Sequence, residues 1–150
     1  MTDHRNSMDL KYAGDVTPRD AFEALQRDGK AQLIDVRTQA EWNFVGITDL
    51  GPVNRQPVLC QWQMFPAGSN PAFVEQTETA LAASGYVKGA ALYFLCRSGA
   101  RSRAAAIAMT AAGHGPCFNI TDGFEGALNS QRNRGTSGGW KAAGLPWIQT

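Results

Sequence analysis

Short apolar runs recur along the chain, and each is bounded by turn residues. Runs of this kind, rich in branched and aromatic side chains, are typical of buried strands. We predict strands over residues 32–37, 58–63, 91–95 and 118–120.

Helical segments lie between these runs, and several of them start with capping signals. Thr17 followed by Pro18 favours a helix that ends near Arg27. Thr38 and Glu41 have the spacing of a capping box at the start of a short helix. The pattern predicts further helices over 70–83 and 102–112.

Alternating strands and helices predict an α/β fold with a central, mostly parallel sheet and helices on both faces. The 150 residues suit one domain, over 15–150, preceded by a polar segment, 1–14, that we expect to be a flexible tail. Parallel strands present the residues that follow them at one edge, where α/β proteins bind ligands. Arg37, Met64, Phe65, Cys96 and Asp122 are expected there, with Met64 and Phe65 as candidates for a pocket wall.

Composition excludes several classes of function. The 14 basic and 13 acidic residues are scattered and give a net charge of +1, which provides no basic surface for nucleic acid and no membrane-binding signature. No apolar run approaches the roughly 20 residues of a membrane span, and the first residues lack the apolar segment of a signal peptide. Three cysteines without a Cys-x-x-Cys pair fit neither a disulfide framework nor a zinc site. We expect a soluble, cytoplasmic protein.

Cys96 is the candidate for chemistry, because it stands where a predicted strand gives way to a helix. The N–H groups of such a turn converge and bind anions, and the sulfur would occupy that point. Arg97, Arg101 and Arg103 add positive charge that favours a thiolate and an anionic substrate. We therefore predict that Cys96 is a nucleophile. Most lone cysteines are buried core residues, and we predict that role for the other two, Cys60 and Cys117.

Loop length separates two enzyme classes that hold a reactive cysteine in this way. Phosphatases use Cys-x5-Arg, whereas Cys96 to Arg101 is Cys-x4-Arg, and Ser102 stands where the phosphatase arginine would be. The shorter loop suits one added sulfur atom better than a phosphoryl group. A sulfurtransferase is favoured; the alternatives are a module that carries persulfide for a partner protein and, less favoured, a phosphatase or arsenate reductase.

The chain resembles the rhodanese family of sulfurtransferases over about residues 16–148. The matching segments are Val16-Thr-Pro18, Leu33-Ile-Asp-Val-Arg-Thr38 with Glu41-Trp42, the loop Cys96-Arg-Ser-Gly-Ala-Arg-Ser102, Gly123-Phe-Glu-Gly126, and Gly139 to Trp147. The resemblance implies a single-domain rhodanese-like fold with a five-stranded parallel sheet. Gly46-Ile-Thr-Asp-Leu-Gly51 departs from the family's Gly-His-Ile-Pro-Gly-Ala, so substrate preference is least transferable around 46–70.

The resemblance also implies a thiosulfate sulfurtransferase that needs neither metal nor cofactor. Cys96 would take sulfur from a small anionic donor such as thiosulfate and pass it, as a persulfide, to a thiol, to cyanide or to a sulfur-relay protein. The negative charge would be held by the backbone N–H groups of the loop, formed by Arg97, Ser98, Gly99, Ala100, Arg101 and Ser102.

Individual side chains carry narrower expectations. Arg101 is expected to turn inward and Arg97 outward toward the donor, although the two roles could be exchanged. Gly99 permits a positive φ. Ser102 either caps the following helix or hydrogen-bonds the sulfur, and we favour capping.

Asp35 and Arg37 alternate on one strand and so share a face, which predicts a supporting role, as an ion pair or through hydrogen bonds to neighbouring loops, rather than a catalytic role. The polar, Gly-rich segment 129–139 is favoured as a linker over a lid.

Overall fold

The computed structural model describes residues 11–64 and 68–149. Along the chain its elements are β1 (Gly14–Val16), α1 (Pro18–Arg27), β2 (Gln32–Asp35), α2 (Gln39–Phe44), β3 (Ile47–Thr48), a 3₁₀ turn (Gly51–Val53), β4 (Val58–Leu59), β5 (Gln63–Met64), β6 (Gly68–Ser69), α3 (Phe73–Ala83), β7 (Leu92–Leu95), α4 (Ala100–Ala111), β8 (Cys117–Ile120), α5 (Gly139–Ala142) and β9 (Trp147–Ile148).

The centre of the molecule is a five-stranded sheet in the order β1-β8-β7-β2-β4, with all neighbours parallel. This confirms the predicted α/β fold with a mainly parallel sheet. Two short antiparallel pairs, β3 with β9 and β5 with β6, lie outside it.

Alternate residues of the central strands enter two apolar clusters, one on each face of the sheet. Ile34 and Phe94 belong to the first cluster, together with residues of α3 and α4 that include Phe73, Leu81, Ala105 and Met109. Leu33 and Leu95 belong to the second, together with residues of α1 and α5 that include Phe22, Leu25 and Trp140. Helices therefore cover both faces, as predicted.

The helix starts at Thr17 and Thr38 are capped as predicted. Thr17 Oγ1 accepts the Asp20 N–H at 3.0 Å. Thr38 Oγ1 accepts the Glu41 N–H at 3.3 Å, and Glu41 Oε1 accepts the Thr38 N–H at 3.2 Å, which completes a capping box. Among the described helices, none has the length and apolar character needed to cross a membrane.

Several predicted element boundaries are wrong. The strand predicted over 32–37 ends at Asp35, and the helix predicted over 70–83 begins at Phe73. Only Val58 and Leu59 of the strand predicted over 58–63 join the central sheet, because Gln63 pairs instead with Ser69 in the separate β5–β6 pair. The helix after Cys96 begins at Ala100, two residues earlier than predicted.

The predicted tail also ends too late. Tyr12 is buried, and the Ala13 N–H donates to the Cys117 carbonyl oxygen at 2.7 Å, so the chain joins the sheet before residue 15. The three residues of β1 carry too little apolar signal to be recognised alone, and their pairing with β8 defines the strand. Residues 1–10 of the predicted tail lie outside the described residues.

Candidate active site

Cys96 directly follows β7, which has β8 on one side and β2 on the other. The residue is 1% exposed, so its sulfur lies at the base of the loop rather than on a free surface. Strand ends on both sides therefore surround the sulfur, as expected for the ligand-binding edge of a parallel sheet.

A backbone donor of the loop is directed at this sulfur. The Gly99 N–H donates to Cys96 Sγ at 3.1 Å, and Gly99 has a φ of 118°, a conformation that disfavours residues with a Cβ. The first bond of α4 runs from the Arg103 N–H to the Gly99 carbonyl at 3.2 Å. The N–H groups of Ala100, Arg101 and Ser102 therefore precede the helical hydrogen-bond ladder, which gives this end of the helix partial positive charge.

The carbonyl groups of the loop are bound by the segment 123–126. The Cys96 carbonyl accepts the Phe124 N–H at 2.8 Å, and the Arg97 carbonyl accepts the N–H groups of Glu125 and Gly126 at 3.0 and 3.1 Å. Gly123 has a φ of 60°, and a Cβ there would overlap the Cys96 carbonyl oxygen. The glycine thus allows this segment to lie directly against the cysteine loop.

The favoured capping role of Ser102 is wrong. Because α4 begins at Ala100, Gly99 holds the N-cap position and Ser102 lies inside the first turn, fully buried. Its Oγ is 3.2 Å from Cys96 Sγ and donates to Asn119 Oδ1 at 2.6 Å. The alternative contact, with the sulfur, is the one observed.

Arg101 is the inward arginine of the loop. Its Nη1 and Nη2 donate to Glu41 Oε1 and Oε2 at 2.7 and 3.0 Å, while Arg97 is exposed. The hydrogen bonds from Arg101 raise its pKa above the usual value. Burial acts to raise the pKa of Glu41, but the bonds and charge of Arg101, with the Thr38 hydrogen bonds, outweigh burial and leave that pKa below its usual value.

Asp35 and Arg37 form the expected ion pair, with both side chains fully buried. Arg37 Nη2 lies 2.7 Å from Asp35 Oδ2 and donates to the Gly46 carbonyl at 2.8 Å. The guanidinium carbon is 4.3 Å from the centre of the Phe124 ring. The pair therefore joins β2 to the segment 123–126 that binds the cysteine loop.

Asp122, also predicted at this edge, lies beside the loop, because a Cβ at Gly99 would lie 3.7 Å from the Asp122 backbone nitrogen. Asp122 is exposed and has a φ of 62°. Met64 belongs to the separate β5–β6 pair and is 40% exposed. Phe65 lies outside the described residues.

The two other cysteines, Cys60 and Cys117, are buried, and burial raises the pKa of both thiols.

Segment 129–139 is attached to the segment 123–126 that binds the cysteine loop. Arg134 Nη1 donates to the Gly126 carbonyl at 2.7 Å, and the Gly135 N–H donates to the Glu125 carbonyl at 2.7 Å.

Sequence reasoning missed Asn119 and the pairing of Glu41 with Arg101. Asn119 is a buried polar residue between Phe118 and Ile120, and this interruption of an apolar strand was the available signal. Glu41 was assigned only to a capping box, a role that it also has. Its pairing with Arg101, 60 residues away, leaves no pattern in the local sequence.

The comparisons with known proteins agree with this architecture. The family model described as the STR4 middle domain matches residues 13–150. The chain belongs to the STR4 middle domain family. A relative from Rickettsia conorii, the uncharacterized protein RC0915, is 39% identical over 127 residues, which are 85% of this chain and 90% of that protein.

Two solved structures show the same fold. Rv0390 from M. tuberculosis is 42% identical, with a TM-score of 0.83 over 93% of this chain and 99% of its own. A polysulfide-sulfur transferase homodimer from Wolinella succinogenes is 20% identical, with a TM-score of 0.57 over 99% of this chain and 88% of its own. At that identity the second likeness shows the fold alone. The predicted rhodanese-like fold is confirmed, whereas the matching family model is the STR4 middle domain.

Proposed function

We propose that this member of the STR4 middle domain family is a sulfurtransferase that carries sulfane sulfur on Cys96. The observation that supports the proposal best is the Gly99 N–H, which donates to Cys96 Sγ at 3.1 Å at the start of α4. A donor aimed at sulfur stabilises the anionic thiolate and the persulfide formed from it. The name of the Wolinella structure, a polysulfide-sulfur transferase, is consistent with this chemistry.

The first half-reaction uses thiosulfate as a test donor. The Cys96 thiolate attacks the outer sulfur of thiosulfate, so that a new S–S bond forms. The original S–S bond breaks and its electron pair leaves with sulfite. The product is a Cys96 persulfide anion, and neither an oxidant nor a reductant is consumed.

The second half-reaction returns the enzyme to its starting state. A thiolate or cyanide attacks the outer sulfur of the persulfide and takes it, while the bonding electron pair returns to Cys96 as the thiolate. Because the donor product leaves before the acceptor reacts, the kinetics are expected to be ping-pong.

The arginines have separate roles in this proposal. Arg97 is exposed beside the loop and meets the anionic donor, whereas Arg101 is held by Glu41 and keeps the first turn of α4 in place. The buried pair of Asp35 and Arg37 supports the loop from β2.

The length of the cysteine loop supports sulfur transfer over phosphoryl transfer. Cys96 and Arg101 are separated by four residues, one fewer than in the Cys-x5-Arg loop of phosphatases, and the buried Ser102 stands where the phosphatase arginine would be. Turnover of an aryl phosphate would favour a phosphatase instead.

The test is steady-state formation of thiocyanate from thiosulfate and cyanide. Cys96→Ser is expected to abolish turnover, while Cys60→Ala and Cys117→Ala are expected to stay within about threefold of the native rate, because both thiols lie in the core. Substantial activity of a folded Cys96→Ser variant would contradict the site. A low native rate with thiosulfate but rapid sulfur uptake from a protein-bound persulfide would identify a carrier.

A further inference from the structure

A chain of side-chain hydrogen bonds leads from the Cys96 sulfur to the edge strand β1. Ser102 Oγ lies 3.2 Å from Cys96 Sγ and donates to Asn119 Oδ1 at 2.6 Å. Asn119 Nδ2 donates to Asp15 Oδ1 at 3.1 Å, and the Tyr12 hydroxyl donates to the same oxygen at 2.9 Å. Asp15 and Asn119 are direct neighbours in the register of β1 and β8, so the pairing of these two strands holds the hydrogen-bonded side chains together.

The direction of these hydrogen bonds is fixed at the Asp15 end. A carboxylate only accepts, so the NH₂ of Asn119 faces Asp15 and its amide oxygen faces Ser102. Ser102 has one hydroxyl hydrogen, and its distance of 2.6 Å to that amide oxygen is shorter than its distances of 3.2 Å to the sulfur and to the Gly99 carbonyl. Ser102 therefore presents a lone pair to the sulfur.

A lone pair beside Cys96 favours the protonated thiol. The Cys96 S–H can donate to Ser102 Oγ, whereas a thiolate in the same place has no hydrogen to donate. The Gly99 N–H acts in the opposite sense, because it stabilises negative charge on the same sulfur.

We propose that Asp15 is a positioning residue that acts through Asn119 and Ser102 to favour the protonated form of Cys96 in the resting protein. A resting thiol is less open to alkylation and oxidation than a thiolate. The inference rests on the proposed function, because it assigns a control on the same sulfur. Alkylation of Cys96 needs no sulfur transfer, so the two claims can fail separately.

Other charged groups lie on the loop and on the elements around it, and the variants below leave them in place. Arg97, Arg101 and Arg103 lie on the loop and α4, and Glu41 of α2 pairs with Arg101. The elements packed around the loop add the Asp35–Arg37 pair of β2, and Asp122 follows β8.

The test is the rate of Cys96 alkylation by iodoacetamide as a function of pH, followed by peptide mass. Asp15→Ala removes the acceptor, so Asn119 can turn its NH₂ toward Ser102 and the Ser102 hydrogen can reach the sulfur. The profile is expected to move to lower pH by about one unit, the size of one hydrogen bond gained by the charged form. Asp15 is exposed, so the variant is expected to fold.

Two controls separate the hydrogen-bond chain from the loss of charge. Asp15→Asn removes the same charge but keeps a carbonyl oxygen that can accept both bonds, so its profile is expected to stay close to the native one. In a Ser102→Ala background, Asp15→Ala is expected to have no further effect, because the chain is already cut. Three results would overturn the inference. Asp15→Ala could shift the alkylation profile equally with and without Ser102, Asp15→Ala and Asp15→Asn could shift it equally, or Asp15→Ala could leave it unchanged.

The inference and the proposed function give different results when one of them is wrong. The predicted shift of the alkylation profile in Asp15→Ala, in a protein that shows no sulfur transfer, would overturn the proposed function and keep the role of Asp15. Normal transfer with an unchanged profile in Asp15→Ala would do the reverse.

Discussion

Arg101 and Glu41 form a two-pronged ion pair, with N–O distances of 2.7 and 3.0 Å, between the first turn of α4 and the short helix α2. Both side chains are 19% exposed, so the pair is partly shielded from solvent. The geometry is the planar fork that a carboxylate accepts from arginine but not from lysine. The pair therefore fixes the turn that carries the Gly99 and Ser102 contacts to the sulfur.

Arg101→Ala is expected to reduce kcat/KM for thiosulfate by about 10- to 100-fold, because small displacements of reacting groups cost about that much. Arg103→Ala is the matched control, since it removes the same charge from the same helix. Arg103 is exposed and lies over the Tyr12 ring at 5.7 Å, so its loss is expected to cost no more than about threefold. Equal effects in the two variants would show that general positive charge, rather than loop geometry, matters.

Acid stability should depend on Glu41. Its pKa in the folded protein is below the usual value, because the Arg101 and Thr38 contacts outweigh the effect of burial. A carboxyl group of this kind stabilises the fold above its unfolded pKa of about 4.3, and the stabilisation is lost as pH falls through the folded pKa.

Glu41→Gln should therefore lower the free energy of unfolding near neutral pH and make it fall less steeply below about pH 4.3. Urea unfolding at a series of pH values measures both effects. Glu75→Gln, at an exposed carboxylate in the first turn of α3, is the control and should retain the native acid dependence. A native acid slope in Glu41→Gln would contradict the assignment.

Gly123→Ala is expected to displace the segment 123–126 from the cysteine loop, since its Cβ would overlap the carbonyl groups of Cys96 and Arg97. Gly144→Ala is a matched control: its φ is 75°, and its Cβ would meet no atom within 4 Å. Backbone strain alone should cost the control about 1–2 kcal/mol. Gly123→Ala should cost more than the control by urea unfolding and should also lose sulfur transfer. Similar stability and activity in the two variants would show that the close approach is unimportant.

The sequence predicted those parts of the fold whose signals are local. The capping box of Thr38 and Glu41 and the apolar run before Cys96 each occupy a few adjacent residues, and each was recognised. Strand β1 was not, because Gly14–Val16 is a strand only through its pairing with β8. The same reason applies to Glu41 with Arg101, whose contact depends on how distant elements pack.

In the candidate site, too, local sequence signals predicted some residues and not the contacts that depend on tertiary packing. Cys96 could be selected from its position after a strand and from the charge around it, whereas the role of Ser102 turned on a two-residue shift in the start of α4. The sequence around His114 shows no partner pattern, whereas in the structure its Nε2 lies 2.7 Å from Glu78 Oε2 and its Nδ1 lies 3.1 Å from the Tyr86 hydroxyl. Such side-chain contacts depend on tertiary packing, which no short motif encodes.

Whether Cys96 carries sulfur is decided by the intact mass of the reduced protein before and after incubation with thiosulfate. We expect a gain of about 32 Da, one sulfur atom, that maps to the Cys96 peptide, is reversed by dithiothreitol and is absent in Cys96→Ser. No gain on Cys96, or a gain that maps to Cys60 or Cys117, would contradict the proposed function.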